Sequence, residues 1–132
     1  MSNKKILIVE DDADVRLGYS VLLKAHHYDP CFAGDSLAAI SEARKQQPDL
    51  IILDLGLPAG DGFVVMERLR NNLQLAMIPI VVVSARDVRT SRQRSLAAGA
   101  KAFVAKPWDD EELLQVIRDV LLGRSAPVTQ VA

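Results

Sequence analysis

Five short runs of apolar residues recur along the chain, and each is followed by a longer stretch with apolar residues at helical intervals. Branched aliphatic residues dominate the strongest of these runs. Such runs predict strands that are buried on both faces, as in parallel sheets. The five runs are residues 6–9, 31–33, 50–53, 80–83 and 102–104. Because parallel strands need long crossover connections, the alternation predicts an α/β fold.

The stretches between the runs predict five helices. Apolar residues at helical spacing place these helices at residues 15–23, 37–43, 63–70, 88–97 and 112–122. Right-handed crossovers through such helices would cover both faces of the sheet. We therefore expect a doubly wound, flavodoxin-like sheet of five parallel strands in the order 2-1-3-4-5. One domain is expected over residues 1–123, with a flexible C-terminal tail at 124–132.

Charge and cysteine content argue against several classes of protein. With a formal net charge of −1, the chain offers no overall positive field for nucleic acid or for an anionic membrane. We expect neither a secretory leader nor a membrane span, and therefore a cytoplasmic protein without direct nucleic-acid or membrane partners. Cys31 is the only cysteine, so an internal disulfide is excluded, and its side chain is expected to be a small strand hydrophobe.

Polar residues follow most of the predicted strands, at the edge where a sheet of this kind binds ligands. They are acids, a hydroxyl and an amine, namely Glu10, Asp11, Asp12, Asp54, Ser84 and Lys106. Clustered carboxylates repel one another unless a cation lies among them. Mg2+, which prefers oxygen ligands and is often held by one or two carboxylates, fits such a site. Calcium fits less well, because the spacing of an EF-hand loop is absent.

The same residues predict chemistry at Asp54. A carboxylate can attack phosphorus and form an acyl phosphate, provided that positive charge offsets the charge gathering on the phosphoryl oxygens. Lys106 would pair first with this carboxylate and then with the phosphoryl group. The hydroxyl of Ser84 would donate a hydrogen bond to a phosphoryl oxygen.

Four segments of the sequence resemble the receiver domains of two-component response regulators. The segments are residues 6–12, 53–58 with the Gly-Asp-Gly at 60–62, 83–85, and 99–107, which ends in Lys-Pro. They follow one another in the order and at the spacings typical of that family. The resemblance covers roughly residues 4 to 122.

The resemblance assigns roles to the acids. Asp54 is similar to the phosphoacceptor, Asp11 to the direct metal ligand, and Glu10 to the acid that reaches the metal through water. Gly56, two residues after the acceptor, would give Mg2+ its backbone carbonyl. Asp12 would be a bystander.

A partner and a switch are also implied by the resemblance. A histidine kinase or a histidine phosphotransfer protein would donate the phosphoryl group, and the domain would slowly hydrolyse it. Ser84 would turn toward the phosphoryl group and Phe103 would move inward, changing the surface of the fourth helix, fifth strand and fifth helix for an output protein. Phe103 stands where tyrosine is frequent, so its position should rest on packing alone. The Lys106–Pro107 bond would be cis.

Two further features depart from the family pattern or add to it. Gly56 carries no side chain, which leaves the mouth of the site open, and Arg86 is then the candidate to lie over the phosphoryl group. Arginines also crowd the fourth helix and its approach, at positions 86, 89, 92 and 94. This cluster is either a solvated helix face or a patch that binds a partner.

We expect a stand-alone receiver that signals rather than a metabolic enzyme, as a monomer or a weak phosphorylation-dependent dimer. The first alternative is the receiver of a longer regulator with a DNA-binding or enzymatic output domain. A haloacid-dehalogenase-like phosphatase is disfavoured, because Leu55 and Gly56 follow Asp54 where that family has Asp-x-Asp. A pseudo-receiver or dinucleotide-binding module is disfavoured by the intact acids and by the absence of Gly-x-Gly-x-x-Gly after the first strand.

Overall fold

Strands and helices alternate five times in the computed structural model, which describes residues 3–57 and 62–124. The strands are β1 Lys5–Val9, β2 Asp29–Ala33, β3 Leu50–Leu53, β4 Ile80–Ser84 and β5 Ala102–Ala105. The helices are α1 Ala13–Ala25, α2 Ser36–Gln46, α3 Gly62–Arg70, α4 Val88–Ala97 and α5 Asp110–Leu121. The predictions made for Pro58, Gly60, Asp61 and most of the tail, from residue 125, lie outside the described residues.

All strand pairs are parallel, and the order across the sheet is β2-β1-β3-β4-β5. The predicted fold class and strand order are therefore confirmed. β2 begins two residues earlier than predicted, at Asp29. An aspartate and a proline are tolerated there because β2 lies at the edge of the sheet, where one side of the strand makes no ladder.

Two helices, α1 and α5, begin two residues earlier than predicted. Each begins directly after an aspartate that caps it, and such a residue gives no apolar signal. α5 begins at Asp110 rather than at residue 112, because the side chain of Asp109 accepts a hydrogen bond from the backbone N–H of Glu112. α1 begins at Ala13, after the cap residue Asp12. Acids in a first turn are also stabilised by the helix dipole, so they extend a helix without any apolar signal.

Each face of the sheet carries its own core, because alternate strand residues point to opposite faces. On one face, residues such as Leu7 and Val82 pack with apolar residues of α2 and α3. On the other face, residues such as Ile8 and Val83 pack with α1 and α5. The buried residues of α4 are instead the two serines Ser91 and Ser95. Within the described parts of the chain, no helix is long and apolar enough to cross a membrane.

Candidate functional site

Strand register brings the polar residues that follow the strands to one edge of the sheet. Val9 of β1 pairs with Leu53 of β3, so the next residues, Glu10 and Asp54, are neighbours. The backbone N–H of Asp54 donates to the carbonyl oxygen of Val9 at 3.1 Å. At the other side of the site, the N–H of Lys106 donates to the carbonyl oxygen of Ser84 at 3.0 Å. Backbone pairing therefore fixes where these four residues leave the sheet.

Three of the predicted acids converge. Glu10, Asp11 and Asp54 each offer a carboxylate oxygen, and these oxygens all lie within 4.8 Å of one another. Glu10 is buried, Asp54 is half-buried and Asp11 is exposed, so the cluster opens toward solvent on the side of Asp11. Asp12 turns away to cap α1, where its side chain accepts hydrogen bonds from the N–H groups of Asp14 and Val15.

The ammonium group of Lys106 borders the acidic cluster, next to Glu10 and Asp54. Its Nζ atom is 2.5 Å from Glu10 Oε1 and 3.6 Å from Asp54 Oδ2. Three carboxylates facing one ammonium group leave an excess of negative charge at the site. Oxygen donors with such an excess are what a hard divalent cation requires.

Burial raises the pKa of Glu10 above its ordinary value. Hydrogen bonds from Lys106 and from the backbone N–H of Asp12 act in the opposite direction, while the charge of Asp54 adds to the increase. The net direction is upward because the carboxyl group, with a side chain only 3% exposed, loses most of its hydration. Burial therefore disfavours the charged form of Glu10, and the ammonium group of Lys106 stabilises that form.

Ser84 and Gly56 lie at the same edge. The Ser84 side chain is buried, and its hydroxyl oxygen accepts a hydrogen bond from the backbone N–H of Arg86 at 3.2 Å. The N–H of Gly56 donates to Asp54 Oδ1 at 3.4 Å. Among the residues that the structure describes, none would lie within 4 Å of a Cβ atom on Gly56.

Gly62 makes a close approach to Asp54 that sequence reasoning missed. Its N–H donates to the carbonyl oxygen of Leu55 at 2.9 Å. A Cβ atom at Gly62 would lie 2.7 Å from the carbonyl oxygen of Asp54 and 2.9 Å from Leu55 Cα. The sequence offers a turn-like run of glycines here, which predicts a bend but not which glycine the packing requires.

Phe103 is buried, with 5% of its surface exposed, and it belongs to the core on the α2 and α3 face of the sheet. It therefore points inward in this structure. The guanidinium carbon of Arg92 lies 5.9 Å from the centre of its ring. The Lys106–Pro107 peptide bond is cis.

An aromatic stack borders the site beside Lys106. Trp108 stacks on Tyr19 of α1, with ring centres 4.3 Å apart and planes inclined by 22°. Burial, together with the charges of Glu10 and Asp54, raises the pKa of the Tyr19 hydroxyl. A groove of about 460 Å3 opens next to this stack and is lined by Asp14, Val15, Gly18, Ala85, Lys106, Pro107 and Trp108. No motif in the sequence signals this pairing, because the two aromatic residues belong to distant elements.

The arginine cluster of α4 is divided between two environments. Arg94 lies over the ring of Phe63, with its guanidinium carbon 3.8 Å from the ring centre. Arg92 lies near Phe103, as described above, whereas Arg86 and Arg89 are exposed. Two of the four arginines are therefore engaged with aromatic rings of the same chain.

Comparisons with known proteins identify similar sequences and structures. A family model for the response regulator receiver domain matches residues 6–118. The phosphate regulon transcriptional regulatory protein PhoB of Escherichia coli is 33% identical over 118 residues, which cover 89% of this chain and 52% of PhoB. The chain thus spans about half the length of PhoB and of similar relatives.

One short protein and one crystallised receiver domain match over nearly their whole length. The protein PilH of Pseudomonas aeruginosa is 29% identical over 119 residues, which cover 90% of this chain and 98% of PilH. The crystal structure of the receiver domain of the sensor histidine kinase PA1611 from Pseudomonas aeruginosa superposes with a TM-score of 0.83. It is 26% identical, covers 91% of this chain and 98% of its own, and has a magnesium ion coordinated in its active site cleft.

Proposed function

The chain belongs to the family of response regulator receiver domains, and on this basis we propose that Asp54 is the phosphoacceptor of a two-component phosphorelay. One observation carries the proposal. Carboxylate oxygens of Glu10, Asp11 and Asp54 lie within 4.8 Å of one another, and the ammonium group of Lys106 is 3.6 Å from Asp54.

The donor atoms of this cluster fit Mg2+. All are oxygens, and the cluster is partly open to solvent, as suits an ion that retains several waters. Asp11 and Asp54 would bind the ion directly, Glu10 through water, and Gly56 through its backbone carbonyl. When bound, Mg2+ would supply positive charge that offsets the negative charge on the phosphoryl oxygens during transfer.

The side chains of this chain perform the remaining steps. A carboxylate oxygen of Asp54 attacks the phosphorus atom of a phosphohistidine on a histidine kinase or phosphotransfer protein. The new O–P bond forms as the N–P bond breaks, and the imidazole leaves with that electron pair and takes up a proton from solvent. Lys106, held beside Asp54 by Glu10, pairs with the transferred phosphoryl group. Ser84 donates its hydroxyl proton to a phosphoryl oxygen.

Phosphorylation would then alter the surface formed by α4, β5 and α5. Ser84, at the end of β4, lies beside β5 through its pairing with Ala105. Movement of Ser84 toward the phosphoryl group changes the space next to Phe103, which has no hydroxyl and is held by packing. We propose that this change controls docking of an output protein, with the chain acting as a monomer or weak dimer.

A small-molecule donor tests the proposal directly. Acetyl phosphate with Mg2+ should add one phosphoryl group to the wild-type chain, measured by intact mass, and Asp54→Asn should abolish the addition. Asp29→Asn, the same substitution in an exposed aspartate at the start of β2, should behave as wild type. Modification that persists in Asp54→Asn, or that proceeds equally without Mg2+, would contradict the assignment.

A second candidate keeps this chemistry but changes the output. Because the chain spans about half of PhoB, a receiver of that kind could be followed by an output domain in the same polypeptide. PilH, of which 98% is covered, is an example of a relative with the length of one such domain. The position of the stop codon in the natural gene distinguishes the two.

A further inference from the structure

Helix α4 lacks the apolar anchors that hold the other helices to the sheet. Its buried residues are Ser91 and Ser95, and the Ser95 hydroxyl makes no hydrogen bond to any described residue. Its N-cap residue, Asp87, accepts no capping hydrogen bond. Serine side chains contribute little burial, and an unpartnered buried hydroxyl is destabilising. Contacts made by its longer side chains therefore weigh more in positioning α4 than in positioning the other helices, although α4 also packs on β5.

One of these contacts joins α4 to the start of α3. The guanidinium carbon of Arg94 lies 3.8 Å from the ring centre of Phe63, well within the range of a cation–π interaction. Phe63 is the second residue of α3 and is half-buried against the core. Side chains of a helix tilt toward its N-terminus, so a long arginine can reach back from the second half of α4 toward the edge that carries the site.

Phe63 is connected through its neighbour Gly62 to the backbone of the proposed phosphoacceptor. It follows Gly62, whose N–H donates to the carbonyl oxygen of Leu55 at 2.9 Å. Gly62 packs so tightly that a Cβ atom there would be 2.7 Å from the carbonyl oxygen of Asp54. Since close-packed backbone cannot be compressed, a shift of the Asp54 and Leu55 peptides must displace Gly62 and Phe63.

The C-terminal end of α4, just after Arg94, is also fixed to α3, by a second arginine. Arg70, the last residue of α3, donates from its guanidinium group to the carbonyl oxygen of Ala98 at 2.8 Å. Gly99 follows with φ of +109°, and a Cβ atom there would lie 3.5 Å from Arg70 Cδ. With its C-terminal end held in this way, α4 would pivot near Ala98 when its contact with Phe63 moves.

We propose that Arg94 is a positioning residue that couples the backbone after Asp54 to α4 through the ring of Phe63. The inference rests on the proposed function, because it concerns what α4 does when Asp54 is modified. The route is separate from Ser84 and Phe103, since it passes through α3 rather than through β4 and β5. Its physical basis is that α4 buries no large apolar residue of its own and is linked to α3 by a cationic side chain on an aromatic ring.

Amide hydrogen exchange of α4 measures this coupling. The full chain is compared with and without beryllofluoride and Mg2+, which together mimic a phosphoryl group on Asp54. In the wild type we expect exchange in residues 88–96 to change about fivefold or more, the lower end of typical coupling between sites. In Arg94→Met and in Phe63→Leu the change should fall below about twofold. Arg89→Met, an exposed arginine of the same helix, is the matched control and should respond as wild type.

Conservative variants separate coupling from simple loss of stability. Phe63→Tyr keeps the aromatic face and should restore most of the response, whereas Arg94→Lys keeps the charge but not the planar stack and should restore part of it. A full response of α4 in Arg94→Met, or an α4 that does not respond in the modified wild type, would overturn the inference. A wild-type chain that gains no phosphoryl mass from acetyl phosphate would overturn the proposed function instead.

Discussion

The Nζ atom of Lys106 lies 2.5 Å from Glu10 Oε1, although 96 positions separate the two residues in the sequence. Glu10 is buried, and its hydrogen bond holds the ammonium group beside Asp54 without the close contact that would occupy the Asp54 oxygens. In the proposed function this arrangement leaves Asp54 available as a nucleophile. It also means that Glu10 and Lys106 depend on each other for stability.

Lys106→Met should lower the free energy of unfolding by about 1 to 3 kcal/mol at pH 7 without metal, because it leaves the buried carboxylate of Glu10 without its cation. Urea denaturation in the presence of a chelator measures the change. Lys101→Met, which removes an exposed lysine before β5, is the control and should change stability by less than about 0.5 kcal/mol.

The effect of Lys106→Met should also depend on pH in a defined direction. The pKa of Glu10 is raised in the folded protein, so the native state binds this proton more tightly than the unfolded state does. The charged form of Glu10 therefore opposes folding at neutral pH, and this penalty is relieved as pH falls through the raised pKa. Below the ordinary carboxyl pKa of 4.5, wild type and variant should differ least. If the difference in free energy of unfolding between wild type and Lys106→Met grew as pH fell, Glu10 would not be the group that makes the difference depend on pH.

Asp11→Ala and Asp12→Ala should separate metal binding from helix capping. Asp11 offers an oxygen to the acidic cluster, so its loss should weaken Mg2+ binding, measured calorimetrically, by about tenfold or more. Asp12 caps α1, so its loss should cost about 1 kcal/mol of stability and change metal affinity little. Equal metal affinities for Asp11→Ala and wild type would remove Asp11 from the proposed site.

Gly62→Ala should be destabilising, whereas Gly56→Ala should be tolerated. A Cβ atom at Gly62 would lie 2.7 Å from backbone at Asp54, and relief of this overlap requires a backbone shift that costs about 1 to 3 kcal/mol. A Cβ atom at Gly56 would meet no residue of the described ranges 3–57 and 62–124 within 4 Å, so we expect a change below about 0.5 kcal/mol. Thermal or urea denaturation of the two variants tests the contrast, and equal stabilities would contradict the close packing of Gly62 on the backbone of Asp54.

Cys31 should be poorly reactive in the folded protein. Burial raises its pKa from 9.0 to about 11, and its thiol donates to the carbonyl oxygen of Ile6 at 3.7 Å. At pH 8 its thiolate fraction, and with it the alkylation rate, should be about 100-fold below that of a thiol with the ordinary pKa. Alkylation by iodoacetamide, followed by mass, should accelerate in urea; equal rates in folded and unfolded protein would contradict this. Between pH 9 and 11 the unfolded state loses this proton first, so stability should fall with rising pH.

Much of the fold could be predicted from local patterns. The apolar runs identified all five strands, and the strand order followed from crossover rules. The predicted helix boundaries missed two residues at the start of α5, where Asp109 caps the helix, and three at the polar end of α2, since neither capping nor polar end residues carry apolar periodicity. For the site, the residues directly after the strands indicated the cluster of Glu10, Asp11 and Asp54 before any distance was known.

By itself, the sequence determined which side chains reach the ligand-binding edge, because buried strands are continuous apolar runs and the polar residue after each run must emerge there. Only the tertiary structure decided that Lys106 pairs most closely with Glu10, that Gly62 packs against Asp54, that Trp108 stacks on Tyr19 and that Arg94 covers Phe63. Each of these contacts joins residues from different parts of the fold, and even Gly62 and Asp54 belong to different segments, the start of α3 and the position directly after β3. Their distances are set by the packing of neighbouring elements and by side-chain rotamers, and neither leaves a periodic signal along the chain.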